Sequence, residues 1–178
     1  LPGLALVLLR LGRADDAARL AGRGVHFARQ RVDVLARLRL VQALADLHGG
    51  RLAQAGGTGE EASELARAAG LVRPLRLAEA VTDHLALLTG TRPAHQDRPA
   101  PTLERPTDPL TRTAALIRAR SALLAEDWQC ARDTLILLQH NAIPSGDRVE
   151  VAALTAIAEA RLGHPADAGR ALAAAQAT

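Results

Sequence analysis

Several residue types that carry common protein chemistry are absent or scarce in this chain. It has no Lys, Met or Tyr, and one Cys, one Trp and one Phe among 178 residues. Without Lys, a P-loop of the G-x-x-x-x-G-K type and a Schiff-base lysine are both excluded. A single cysteine rules out an intrachain disulfide and a cysteine zinc cluster, which fits a reducing compartment. No Ser stands in a G-x-S-x-G sequence either, so these absences favour a protein that is not an enzyme.

The chain also lacks an apolar run of the length that a membrane span needs. Its apolar start, LPGLALVLL at residues 1–9, is shorter than the roughly 20 residues of a transmembrane helix and has no basic residues before it. We therefore expect a cytoplasmic protein that does not associate with membranes. Because the first residue is Leu rather than Met, we also expect the chain to be part of a longer protein.

The excess of positive charge is confined to the first third of the chain. Residues 1–52 hold 9 Arg and 4 acidic residues, whereas residues 53–90 hold 3 and 5, and residues 91–178 hold 10 of each. The scarcity of aromatic side chains leaves no platform on which nucleic-acid bases could stack. We therefore expect no sequence-specific DNA binding by this chain, despite its net charge of +3.

A six-residue phrase recurs four times along the chain. It begins with Gly or Glu and ends with Ala, and its copies are Gly12–Ala17, Gly50–Ala55, Glu126–Ala131 and Gly163–Ala168. Small or apolar residues follow the final Ala at the fourth and seventh positions, as on one face of a helix. Each phrase is therefore predicted to be a turn that leads into a helix.

The segments around these turns also have helical patterns. We predict helices over residues 34–48, 74–89, 110–125 and 148–162, and a continuous helix over 51–69 despite its glycines. Asp33, Pro74, Asp108 with Pro109, and Asp147 are the predicted start signals. With Gly90 as a fifth turn, the repeat length is 36 to 40 residues, which is typical of an α-solenoid.

These patterns predict an all-α superhelix of antiparallel helix pairs, with about nine helices. Residues 91–109 contain five prolines, which are incompatible with the second helix expected after Gly90. The predicted organisation is therefore helical repeats over 1–90, a proline-rich linker over 91–107, and helical repeats over 108–178.

The repeats resemble the tetratricopeptide (TPR) repeat, whose second half runs Gly-Asp-Tyr-x-x-Ala before small or apolar residues. Glu126–Ala131 is the nearest copy, with Trp128 in the aromatic place. The chain departs from the pattern at Arg118 and Thr155, where Leu is usual, and its repeats exceed the usual length of about 34 residues. In these respects it is more similar to the repeats of MalT-like regulators, the large LuxR-type ATP-dependent transcription activators (LAL group) common in high-GC actinobacteria.

This resemblance implies the ligand-sensing or protein-interaction region of a transcriptional regulator, whose ATPase and DNA-binding domains lie outside this chain. A protein or small-molecule effector would bind in the helical groove, and homo-oligomers are left open. The alternative is a stand-alone TPR adaptor unrelated to transcription. Sequence flanking the chain would separate the two.

Few residues are candidates for a binding site. The densest basic cluster would receive an acidic partner or a phosphate-bearing effector, the alternative being solvated helix surface; it comprises Arg29, Arg31, Arg37 and Arg39. Trp128 is a candidate ligand anchor, the alternative being packing within its own hairpin. Cys130 aligns with polar positions of the other copies, so we expect it to point outward.

The six histidines give no sign of a metal site. No two of them are spaced i,i+3 or i,i+4, the spacing that would place both imidazoles on one helix face. The sequence therefore predicts no metal, no cofactor and no catalytic residue.

Overall fold

The protein is described by a computed structural model that covers residues 2–28, 30–94, 108–140 and 145–177. Within these ranges the fold is all-α, as predicted, with nine helices and no strand. The helices are α1 (Pro2–Arg10), α2 (Ala14–Phe27), α3 (Val32–His48), α4 (Leu52–Ala68), α5 (Val72–Leu88), α6 (Pro109–Leu124), α7 (Trp128–Gln139), α8 (Ser145–Arg161) and α9 (Pro165–Gln176).

The helices pack in sequence order within two compact units, Leu1–Thr89 and Gly90–Thr178. In the first unit each of α1 to α5 packs on the next, and α3 also contacts α1 and α5. In the second unit each of α6 to α9 packs on the next, and α6 also contacts α8. Each helix thus packs against near neighbours in sequence, which is the packing of a helical-repeat protein.

The recurring phrase marks the same kind of turn at each occurrence. Its first residue has a positive φ of 71°, 71°, 58° and 80° at Gly12, Gly50, Glu126 and Gly163. The N–H of the following residue then donates to the carbonyl five residues earlier, as in a Schellman motif. Gly70 forms this turn as well, between α4 and α5. Glu126 is the exception in residue type, because the left-handed conformation favours Gly.

Three predicted helix starts are wrong by two or three residues. The helix expected over 34–48 begins at Val32. The helix expected to open at Pro74 begins at Val72; proline is tolerated there because the N–H groups of the first turn need no partner within the helix. The helix expected over 148–162 begins at Ser145. Asp147 therefore lies inside the first turn of α8, where it complements the helix dipole, and is not the N-cap.

The other two predicted caps have opposite outcomes. Asp108 caps α6 as predicted, accepting hydrogen bonds from the backbone N–H groups of Leu110 and Thr111 at 3.0 and 3.1 Å. Asp33 is not a cap, because α3 begins one residue before it and the N-cap position is Arg31. Asp33 binds the guanidinium of Arg31 instead, so the acid still stabilises this helix end.

The core of the first unit combines large side chains on α3 with small ones on α4. Leu38, Leu40 and Leu44 are fully buried on α3. The buried face of α4 carries only small residues, which are Ala55, Gly59, Ala62, Ser63 and Ala66. A Cβ at Gly59 would lie 3.2 Å from Cγ2 of Thr82 on α5, so this glycine permits a close approach of the two helices. The continuous helix predicted over 51–69 is confirmed.

The core of the second unit also combines large and small side chains. Leu135 and Leu138 of α7 pack with Val151 of α8 and with small residues of α6.

The predicted linker, 91–107, falls mostly outside the described residues, and its described part, 91–94, is not helical. Among the described residues, no helix has both the length and the apolar character that crossing a membrane requires.

Candidate functional site

A pocket of about 620 Å³ lies in the second unit between α7, α8 and α9. Ile136 and Val151 provide apolar walls, while Gln139, Arg148 and Arg170 provide polar groups. Its volume falls within the range of small-molecule sites, which combine apolar walls with a few polar groups. This pocket is the candidate functional site.

The pocket exists because α9 contributes little volume. The helix has the sequence PADAGRALAAAQ, and none of its residues is buried. Ala171 and Ala174 face the pocket, and methyl side chains are too short to fill the space between α9 and α7 in the way that leucines fill a core. The alanine-rich composition of this helix therefore leaves the site open.

A hydrogen-bonded pair joins two helices at the base of the pocket. Thr155 of α8 is buried, and its hydroxyl donates to the carbonyl of Val151 at 2.7 Å. The amide of Gln139 on α7 donates to the same hydroxyl at 2.9 Å. Because buried polar groups without partners are costly, this pairing stabilises the polar base of the pocket.

Glu159 is the central charged group of the site, with 4% of its surface exposed. Arg132 of α7 donates from Nε to Oε1 at 2.7 Å, and His164 donates from Nδ1 to Oε2 at 2.8 Å. Burial alone would raise the pKa of Glu159, but the hydrogen bonds from Arg132 and His164 outweigh burial and lower it. Glu159 is therefore a carboxylate at neutral pH, and it connects α7, α8 and the start of α9.

Asp167 completes a cluster with Glu159 and His164. One possible ligand atom from each of the three residues lies within 4.8 Å of the other two. The spacing of the histidines in the sequence did not predict this cluster, because only one of its members is a histidine. The position of Asp167, three residues after His164, would have indicated two members of the cluster. Glu159 lies on the other side of the turn between α8 and α9.

Two of the predicted arginines are bound by acidic neighbours. Arg31 forms two hydrogen bonds with Asp33, both of 3.1 Å. Arg39 donates from Nε to Glu61 of α4 at 2.9 Å. These two guanidinium groups therefore stabilise the structure of the first unit, which reduces their charge available to an acidic partner.

Of the remaining two predicted arginines, the structure describes only Arg37. Arg29 lies outside the described residues. Arg37 is exposed, and no hydrogen bond or ion pair joins it to any other part of the described chain. Residues 37 and 39 are roughly 200° apart around a helix, so Arg37 and Arg39 do not share a face of α3.

The aromatic and thiol candidates lie at the start of α7. Trp128 is half-buried, and the guanidinium of Arg161 lies 5.4 Å from its ring centroid, a cation–π distance. Cys130 is exposed, as expected. Partial burial of the thiol and the nearby Asp127 raise the pKa of Cys130, which lowers its thiolate fraction and disfavours a reactive cysteine.

No family model, curated protein or solved structure matches this chain. A functional assignment therefore depends on the chemistry of its own residues and on the geometry of the pocket.

Proposed function

We propose that this chain is a non-catalytic binding module, the ligand-sensing or protein-interaction region of a bacterial transcriptional regulator. The pocket between α7, α8 and α9 carries the binding part of the proposal, because it combines an open volume with polar groups that are held in place. The regulator part rests on the resemblance of the repeats to those of MalT-like activators.

The chemistry of the pocket favours binding over catalysis. Its polar lining groups are held by hydrogen bonds, as Thr155 is by Gln139 and as Glu159 is by Arg132 behind the pocket wall. Groups held in this way can orient a ligand and select it by its hydrogen bonds. Among the described lining residues, the candidate nucleophile is the hydroxyl of Thr155, and it already donates to the backbone carbonyl of Val151 rather than to a side chain that could act as a general base.

The position of the pocket suggests how binding could be communicated. A ligand in it would contact both α7 and α9, which pack on the same helix, α8. Because helical repeats contact only their neighbours, fixing the spacing of two helices changes the stacking of the array. A ligand with higher affinity for one stacking arrangement would shift the population toward that arrangement and act on attached domains.

The binding proposal is tested by filling the pocket. The variant Ala171→Leu places a larger side chain on a lining residue, and Ala173→Leu is its matched control on the exposed, non-lining face of α9. We expect ligands found in a thermal-shift screen of small metabolites to stabilise the original chain and the Ala173→Leu variant. Equal stabilisation of the Ala171→Leu variant would contradict binding at this pocket.

The regulatory role requires a test in cells. Deleting the gene segment that encodes this chain should change the transcript levels of a defined set of promoters, and Ala171→Leu should abolish their response to the ligand. Unchanged transcripts in both strains would contradict the regulatory role and favour an adaptor that acts outside transcription.

A further inference from the structure

We propose that Glu159, His164 and Asp167 form a binding site for a divalent transition-metal cation, represented by zinc, at the edge of the pocket. The proposal depends on the geometry of these three side chains and not on the proposed function. A cation could bind there whether or not the pocket receives an effector.

The distances between the three side chains suit a metal ion. Zinc bonds of about 2.0–2.2 Å place neighbouring ligand atoms roughly 3–3.6 Å apart in a tetrahedral site. Nδ1 of His164 already lies 2.8 Å from Oε2 of Glu159, and a cation would displace the proton between these two atoms to solvent, or the imidazole would carry its proton on Nε2 instead. One potential ligand atom from each of the three residues lies within 4.8 Å of the other two, and rotation of the Asp167 side chain would bring its carboxylate closer to the pair.

The arginines around the cluster leave the ligand atoms accessible. Arg132 binds Oε1 of Glu159, so that Oε2 faces His164. Arg170 binds Oδ1 of Asp167, and Oδ2 is the oxygen that would turn toward the cation. Carboxylates that bind metals are commonly oriented by hydrogen bonds to their second oxygen. The two arginines therefore position the carboxylates for a cation that would lie between them.

The set of donor atoms determines which cations fit. One imidazole nitrogen with two carboxylate oxygens suits zinc and its neighbours in the first transition row, whereas magnesium and calcium prefer ligands that are all oxygen. The two guanidinium groups and the N-terminal end of α9 oppose a cation, so we expect an affinity in the micromolar rather than the nanomolar range. Three protein ligands leave a fourth position for water or for an anionic ligand.

The proposal is tested by calorimetric titration of the chelator-treated chain with zinc chloride. His164→Asn removes the imidazole while keeping a side-chain donor for Glu159, and Asp167→Asn removes one carboxylate. We expect each substitution to lower zinc affinity by about tenfold or more. Magnesium in about a thousandfold excess should not displace zinc, because magnesium prefers sites in which every ligand is an oxygen atom.

Two matched controls distinguish this cluster from other zinc-binding groups. Asp16 occupies the same position in the first copy of the phrase and pairs with Arg19, as Asp167 pairs with Arg170. His140 lines the pocket outside the cluster. We expect Asp16→Asn and His140→Asn to change zinc affinity by less than about twofold.

Three results would overturn the proposal. They are a lack of zinc binding by the original chain, undiminished affinity in both the His164 and Asp167 variants, and an equal loss in the control variants. Circular dichroism of each variant verifies folding, and the exposed position of His164 makes a folded Asn variant attainable.

Discussion

The turn between α3 and α4 in the first unit is stabilised by a cation that binds two acidic side chains. The turn between α8 and α9 in the second unit is stabilised by an acidic side chain that binds two basic ones. Arg51 is the central cation. Its Nε donates to Asp46 at 2.8 Å across the turn, and its Nη1 donates to Asp15 of α2 at 3.1 Å. The central acid is Glu159, bound by His164 across its turn and by Arg132 of α7.

The two arrangements are equivalent in position but opposite in sign. In each, an acid in the last turn of one helix binds a base five residues later, across the Schellman turn. In each, the central group also reaches the preceding helix pair. In both units, a charged side chain therefore joins a helical hairpin to the preceding helix pair. This side chain is a cation in the first unit and an anion in the second.

The ion-pair arrangements around Arg51 and Glu159 differ in burial, and we therefore expect them to differ in their contribution to stability. The side chain of Arg51 is 36% exposed, whereas that of Glu159 is 6% exposed. Exposed ion pairs contribute little, because water screens them and the long side chains lose entropy. A buried carboxylate that loses its partners, or buried partners that lose their carboxylate, cost much more. We therefore expect the second unit to depend on its charged group more than the first.

The largest expected effect follows from removing the two central groups. Glu159→Ala should lower the free energy of unfolding by about 2–3 kcal/mol, because it leaves Arg132 and His164 without their buried carboxylate partner. Arg51→Ala should have a clearly smaller effect. Urea unfolding of both variants provides the measurement, and equal losses would show that burial does not distinguish the two arrangements.

Acid should weaken the second unit through the same group. Hydrogen bonds lower the pKa of Glu159 in the folded chain below its ordinary value of 4.5, so its stabilisation is present above that value and is lost as the pH falls through the lowered pKa. In chelator-containing buffer, the stability difference between the original chain and Glu159→Gln should be greatest near neutral pH and shrink in acid. A difference that is constant from neutral to acidic pH would contradict the assigned ionisation.

The turns themselves should respond to substitution in opposite directions. Glu126 has a φ of 58°, so Glu126→Gly should stabilise the second unit by roughly 1 kcal/mol by relieving the left-handed strain. Gly50 has a φ of 71°, and no atom lies within 4 Å of the position that a Cβ would take there. Gly50→Ala should therefore destabilise by a similar amount through backbone strain alone. Thermal unfolding measures both, and effects of the same sign would contradict this account.

The glycines of α4 should separate helix propensity from helix packing. Gly57→Ala should stabilise by roughly 0.5–1 kcal/mol, because an added methyl group meets open space. Gly59→Ala should give no such gain, because its methyl group would lie 3.2 Å from Thr82. Chemical denaturation of the two variants checks this, and equal gains would show that α4 and α5 can separate without cost.

The smallest effect is expected at the outward position of the phrase, which is Cys130 in the second unit. Because Cys130 is exposed, Cys130→Ser should change the free energy of unfolding by less than about 1 kcal/mol. The corresponding substitution in the first unit, Gln54→Ser, is the control. A larger loss at Cys130 on thermal unfolding would show that the thiol is part of the core.

The fold could be predicted largely from the sequence because its determinants are local. The turn at Gly50, the small residues of α4 and the cap at Asp108 all act within a few residues along the chain. The errors at Pro74 and Asp147 arise because a first helical turn accepts both a proline and an acidic residue. Start signals of this kind locate a helix without fixing its first residue.

The candidate site could not be predicted in the same way, because it is formed by residues from different helices. Arg132 and Glu159 are 27 residues apart, and their contact depends on how α7 packs on α8. The pocket itself comes from volume that alanine-rich α9 does not fill. Neither a distant ion pair nor missing volume leaves a periodic pattern in a sequence.

The packing of each helix on its near neighbours also affects how the chain acquires its structure. Contacts between elements close in sequence require little loop-closure entropy, so chains dominated by them fold quickly. As the chain leaves the ribosome, α1 and α2 can dock on α3 before α6 has been made. Helices that are synthesised early can therefore bury their apolar surfaces against near neighbours before distant segments are made, which limits aggregation during synthesis.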